Sequence, residues 1–334
     1  MNWLRNHTKG ILLSLAVAVV AVGLGSVFPL IGGAVFGIVL GMVVGNFIGS
    51  PEGSTQGIQF TGKKILQWAI VILGGGLSLK QVYVTGISSL SIIIFTLSSA
   101  FLSAFVVGRI LRIPFKMTSL IAMGTAICGG SAIAAISQII EAEDQDIAYA
   151  ISTVFMFNVV AVLIFPSLGH LMNMSSHGFG MWAGTAINDT SSVVAAGYSY
   201  SNESGAYATI VKLTRTTMII PLSLVFAAVM AFKGGSGSVT TRSRYDVWKI
   251  FPWFILWFLV ASLLNTGGVI SARYAAGCTD AGKFLIVLAL SAIGLNSNLK
   301  AMLRTGSRPL LLGLIVWIAV VASSIVVQKF TGQW

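Results

Sequence analysis

Apolar runs long enough to cross a bilayer follow one another through almost the whole chain. Such a chain must satisfy its backbone groups inside lipid, which restricts it to helices packed as a bundle. Eleven runs stand out, at 11–28, 30–49, 65–79, 87–108, 117–140, 147–169, 179–197, 206–232, 250–265, 283–299 and 309–328. Several are short or interrupted by glycine, so ten or twelve spans also fit. Only 9% of the 334 residues are charged, against about 25% in soluble chains, and mean hydropathy is +0.91, so no soluble domain fits anywhere. The expected fold class is an all-α polytopic membrane protein of about 11 transmembrane helices, one integral membrane domain over 1–334. Arg5 and Lys9 precede the first run as in a signal peptide, but Val27-Phe28-Pro29 offers no small-residue cleavage site, so the run reads as a membrane helix.

The net charge of +11 would point to nucleic acid in a soluble protein. Here its placement is a topology signal. With the N-terminus cytoplasmic and strict alternation, fourteen Lys and Arg fall inside, among them Arg5, Lys9, Lys63, Lys64, Arg109, Arg112 and Lys116. Four fall outside: Lys80, Arg273, Lys283 and Lys329. The acidic run Glu141, Glu143, Asp144, Asp146 then falls outside, and the C-terminus is periplasmic or extracellular. The polar stretch KGGSGSVTTRSRYD at 233–246 reads as a cytoplasmic linker loop.

The sequence echoes itself twice. GLSLKQVYVTG at 76–86 and GLNSNLKAMLRTG at 294–306 each precede an unbroken apolar helix, in pairs that run oppositely, as inverted repeats require. GTAICGGSAIAA at 124–135 matches GTAINDTSSVVAA at 184–196. In strict alternation those two spans run the same way, so they are not expected to be inverted partners, although both are expected to line one cavity.

Asp189, Lys212 and Arg215 stand well inside apolar segments, where a charge costs about 2.5–3.5 kcal/mol on insertion scales and therefore faces a cavity or a partner. Cys128-Gly129-Gly130-Ser131 sits mid-span. It reads either as a helix break whose N–H groups and dipole suit an anion, or as close packing of a continuous helix. Asn188-Asp189-Thr190-Ser191-Ser192 puts five polar side chains in succession, more than one helical face hides, which predicts a break lining water. Counted from the shared outer loop, Asp189 and Arg215 lie about 12 and 13.5 Å deep. Asp189 is thus expected to pair with Lys212 or Arg215, leaving one cation for an anionic substrate; the alternative for Lys212 is snorkelling to the surface. Pro221 predicts a kink. Asn158, Asn296, Ser297 and Asn298 are candidate neutral donors, or helix-to-helix hydrogen bonds. Asp189 is also a candidate protonatable coupling group.

Four stretches carry a family resemblance: ICGGSAIAA (127–135), WAGTAINDTSSVVAAG (182–197), VKLTR (211–215) and GLNSNLKAMLRTGSRPL (294–310). Together they resemble the YeiH-like bacterial inner-membrane proteins. That family is grouped with sulfate exporters, in a superfamily with bile-acid and arsenite transporters. The resemblance implies a panel-plus-core bundle of inverted repeats, with discontinuous helices crossing at the substrate site. It implies secondary transport of sulfate or a related oxyanion. This chain departs from the family at Asn188, where many members carry His, and at Ser191-Ser192, where Ala-Gln is common.

The expected function is a secondary transporter that moves a small anion by alternating access, coupled to a proton or sodium ion, with a homodimer possible. The expected substrate-binding residues are Cys128, Gly129, Gly130, Ser131, Asn158, Asn188, Asp189, Thr190, Ser191, Lys212, Arg215 and Asn296. An anion channel is the alternative. A membrane enzyme is disfavoured by the lack of HExxH, a nucleophile elbow or a catalytic dyad. No GxxxxGK[ST] is present, and no cofactor or metal is expected.

Overall fold

The computed structural model describes residues 2–28, 32–49, 51–233, 252–298 and 306–334. Every regular element within them is helical. The first group comprises α1 (Asn2–Val27), α2 (Gly32–Val43, extended by a π-helical turn Val44–Ile48), α3 (Thr55–Phe60) and, after a second π turn (Thr61–Ile65), α4 (Leu66–Gly74). Then come α5 (Leu79–Ile110), α6 (Phe115–Ala126), α7 (Gly130–Ile139), α8 (Asp144–Leu171), α9 (Ser176–Ala186), α10 (Thr190–Tyr200), α11 (Asn202–Thr217) and α12 (Ile219–Lys233). Last are α13 (Trp253–Thr266), α14 (Ala272–Asn296) and α15 (Ser307–Thr331). Of the expected linker 233–246, Lys233 closes α12 and the remainder lies outside the described residues.

Among the described residues, six helical stretches are long and apolar enough to span a membrane: His7–Val27, Leu79–Ile110, Asp144–Leu171, Asn202–Met230, Arg273–Asn296 and Ser307–Thr331. Shorter apolar helices accompany them. The chain is a multi-pass membrane protein. The predicted kink is present, since α11 stops at Thr217, the residue whose carbonyl Pro221 has no N–H to meet.

Helices α1–α4, α13 and α14 form one packed group, and α5–α12 with α15 form another. In the first group backbones touch because glycine permits it. A Cβ on Gly41 would lie 2.4 Å from the Ser291 carbonyl, and one on Gly294 2.3 Å from that of Ile38. Between the groups the contact is mostly apolar, with Ile70, Leu77, Ile255 and Phe258 against Ala206, Ile210 and Leu213 of α11, and α2 and α14 against Val194 and Ala195 of α10; the Leu79 N–H also donates to Thr266 Oγ1 at 2.7 Å.

The expected fifth and seventh spans, 117–140 and 179–197, do not cross the bundle. Each is a re-entrant hairpin. A continuous helix would separate residues 25 apart by about 37 Å. Yet Lys116 Nζ donates to the Glu141 carbonyl at 2.6 Å, and the Ser176 and Ser201 hydroxyls are 3.0 Å apart. In the second hairpin the Phe179 and Tyr200 rings stack at 4.0 Å, and Tyr200 Oη donates to the Met174 carbonyl at 2.5 Å. Helix α8, 28 residues and about 42 Å of helical rise, runs from the base of the first hairpin to the base of the second, so the two enter from opposite ends of the bundle.

Two sequence expectations change with this geometry. The acidic run 141–146 lies at the same end as Lys116, not the opposite one. The segments 124–135 and 184–196 form hairpin tips that face each other from opposite directions, so they are inverted counterparts after all. Charge counting is blind to both points. No Lys or Arg lies between 117 and 211, and two hairpins leave the direction of every later segment unchanged. Of the other echo, 299–305 lies outside the described residues; the helices that follow its two arms, α5 and α15, pack antiparallel, with Gln333 Nε2 donating to the Ser88 carbonyl at 3.5 Å.

Candidate functional site

Both hairpins turn where the sequence stops supporting a helix. In the first, Gly129 takes φ +68° and ψ −124°, a conformation open to glycine and strained for other residues, and α7 restarts at Gly130. In the second, Asp189 adopts an extended conformation and caps α10. Its Oδ2 accepts from the backbone N–H of Ser191 (2.9 Å), that of Ser192 (3.3 Å) and the Ser191 hydroxyl. Both expected breaks are present, as turns rather than as interruptions of crossing helices.

Each turn leaves carbonyls without partners at the end of its first arm, where the helix dipole is negative. Lys212 and Arg215, both fully buried on α11, fill that demand. Lys212 Nζ donates to the carbonyls of Ile127 (2.6 Å) and Ile187 (2.9 Å), matched positions in the two GTAI segments. Arg215 donates through Nε to Ala126 (2.6 Å), through Nη2 to Thr125 (2.5 Å) and through Nη1 to Ile187 (3.3 Å). The two cations therefore staple one hairpin tip to the other.

This arrangement corrects the expected roles of the three charges. Depth counting placed Asp189 and Arg215 at one level, and both Arg215 and Lys212 do reach the Ile187 carbonyl, two residues before Asp189. However, Asp189 makes no ion pair with Lys212 or Arg215; among the described residues the ion pairs are His177–Glu203 and Lys283–Asp280. Lys212 does not snorkel, and neither cation lines the cavity: both donate to tip carbonyls in this structure. The carbonyls at the tips are nearer and equally demanding acceptors.

Asn158 stands midway along α8, beside both tips. Its Oδ1 accepts the backbone N–H groups of Asn188 (3.1 Å) and Asp189 (3.2 Å), which fixes the amide and turns Nδ2 toward the first hairpin. A Cβ placed on Gly129 would lie 3.9 Å from that Nδ2 and 3.9 Å from Asp189 Cβ.

A cavity of about 760 Å³ reaches this meeting point from the end of the bundle that carries the base of the first hairpin. Cys128, Gly130, Ser131, Asn158, Asp189, Thr190, Ser191 and Asn296 line it, so most of the expected site residues come together. Four do not. Lys212 and Arg215 lie behind the tips, Gly129 is at the turn, and Asn188 is fully buried with neither side-chain polar atom partnered. The sequence reading missed Gln67, Ser152 and Lys63, which also line the cavity. Gln67 was visible as a polar residue inside an apolar run, whereas Ser152 is common enough in membrane helices to pass unnoticed.

The donors facing the cavity are distinctive. Helix α7 has no side-chain cap. The Ala132 N–H is turned to the Cys128 sulfur, while those of Gly130 and Ser131 meet no acceptor among the described residues. An uncapped helix N-terminus with a carboxylate beside it thus closes the deep end.

Comparison with known proteins identifies the family. The family model described as conserved hypothetical protein 698 matches residues 9–313. A UPF0324 membrane protein of Clostridium tetani is 41% identical over 345 residues, covering 100% of both chains. One from Fusobacterium nucleatum is 42% identical over 349 residues, covering 98% of this chain and 99% of its own. One from Streptococcus agalactiae is 43% identical over 338 residues, covering 99% of each. The chain belongs to this family of UPF0324 membrane proteins, the YeiH-like family its motifs resemble.

Proposed function

We propose that this family member is a secondary transporter that moves a small anion across the cytoplasmic membrane by alternating access, with its substrate seat at the hairpin tips. The carrying observation is that a cavity from one end stops where two oppositely directed hairpins meet, with helix-end N–H donors open to the cavity there. Among the described residues, nine segments then cross the bilayer: α1, α2, α3–α4, α5, α8, α11–α12, α13, α14 and α15. The two hairpins dip in from either side. The Lys and Arg distribution supports a cytoplasmic N-terminus and cavity mouth and an outer C-terminus. Rocking of the hairpin group against α1–α4, α13 and α14 across their apolar contact would expose the seat to the other side. In the absence of an ATP-binding motif, a proton or sodium gradient supplies the drive.

The test is exchange in proteoliposomes. Labelled oxyanion inside should accelerate entry of oxyanion from outside, with saturation. Conductance that neither saturates nor exchanges would instead identify a channel and refute the carrier reading.

A further inference from the structure

The floor of the cavity presents two kinds of group at once. On one side are donors: the N–H groups of Gly130 and Ser131, the Ser131 hydroxyl and Asn158 Nδ2. Asn158 is 2% exposed, its Oδ1 is held by two backbone N–H groups, and its Nδ2 has no partner among the described residues. That amide nitrogen is a second feature, independent of the helix end, that asks for an acceptor on the ligand. On the other side is Asp189. Its Oδ2 is engaged by the α10 N-terminus, and its Oδ1 is left for the cavity that Asp189 lines. An ionised carboxylate only accepts hydrogen bonds.

We infer that the oxyanion taken by this seat keeps a hydrogen atom of its own, and that a fully ionised oxyanion such as sulfate is rejected. The inference rests on the anion-transport reading and sharpens its substrate class. A hydrogen-bearing oxyanion accepts from the α7 end and Asn158 Nδ2 while its O–H donates to Asp189 Oδ1. Sulfate has only acceptor oxygens at neutral pH. It sets acceptor against acceptor and anion against anion at Asp189, and leaves the carboxylate desolvated without a donor. Sites built around such a hydrogen bond discriminate strongly against a ligand that lacks it.

The test uses the purified full-length chain in detergent at neutral pH and constant ionic strength, titrated by calorimetry with two pairs of matched shape. Hydrogenphosphate is set against sulfate, and hydrogencarbonate against nitrate. In each pair the hydrogen-bearing ion is expected to bind at least about tenfold more tightly. Asp189→Asn keeps a good helix cap and adds a donor, so the preference should vanish or invert through a gain in sulfate affinity. Asn158→Asp keeps the acceptor for the tip N–H groups but removes Nδ2, and should weaken every oxyanion. Wild-type elution and melting profiles confirm that each variant is folded. Sulfate binding as tightly as hydrogenphosphate, or a preference unchanged in Asp189→Asn, overturns this inference and leaves anion transport standing. Failure of all four ions to bind overturns both.

Discussion

Removing the two buried cations tests the stapling of the hairpin tips, and the hydrogen-bond pattern sets what to expect. Arg215→Leu orphans the carbonyls of Thr125 and Ala126, while Ile187 keeps Lys212. Lys212→Met orphans Ile127 alone, because Ile187 keeps Arg215. Polar contacts inside membrane proteins are worth about 0.6 kcal/mol on average and about 1.7 at most. Arg215→Leu should then cost about 1–3.5 kcal/mol and Lys212→Met about half of that. The double variant also orphans Ile187, so its cost should exceed the sum of the singles by about 0.6–1.7 kcal/mol. Relief of repulsion between the two cations is gained in each single but only once in the double, and adds to the excess with the same sign. The assay is reversible unfolding in mixed micelles, with amide exchange read at 124–130 and 184–190. A double variant that costs no more than the summed singles would refute the shared carbonyl. An Arg215→Leu protein as stable as the wild type would refute the staple.

Two further results follow from the hairpin geometry. With Cys128 and Cys278 replaced by Ser, cysteines introduced at Arg112 and Glu143 should react with an impermeant thiol reagent from the same side of the membrane. Labelling from opposite sides would restore a crossing span at 117–140. The adjacent glycines should also behave differently. Gly129→Ala, at φ +68°, should destabilise by about 1–3 kcal/mol, whereas Gly130→Ala, helical and with open space around its Cβ position, should be neutral or slightly stabilising in the same unfolding assay. Equal effects at the two positions would contradict the turn.

Much of this protein is fixed locally, and that part was legible from the residues. A chain with so little charge and so many apolar runs has no folded form except helices in a bilayer, because each helix satisfies its own backbone. The breaks at Gly129 and Asp189 were equally readable. Paired glycines and five consecutive polar side chains conflict with a continuous buried helix whatever surrounds them. The echo between 124–135 and 184–196 marked two related parts. Direction was not readable. Whether a run of about 24 apolar residues crosses or turns back depends on what meets its far end. Here Lys116 meets Glu141 and Tyr200 meets Met174, contacts between segments that composition does not relate. The same holds for the buried charges. Sequence placed Asp189 and Arg215 at matching depth, with Lys212 one turn away, but could not choose among their partners. Opposite charges were the natural choice on paper. Only the tertiary arrangement brings the carbonyls of two hairpin tips within reach of both cations, and a backbone carbonyl freed from its helix attracts a buried donor wherever the fold happens to turn.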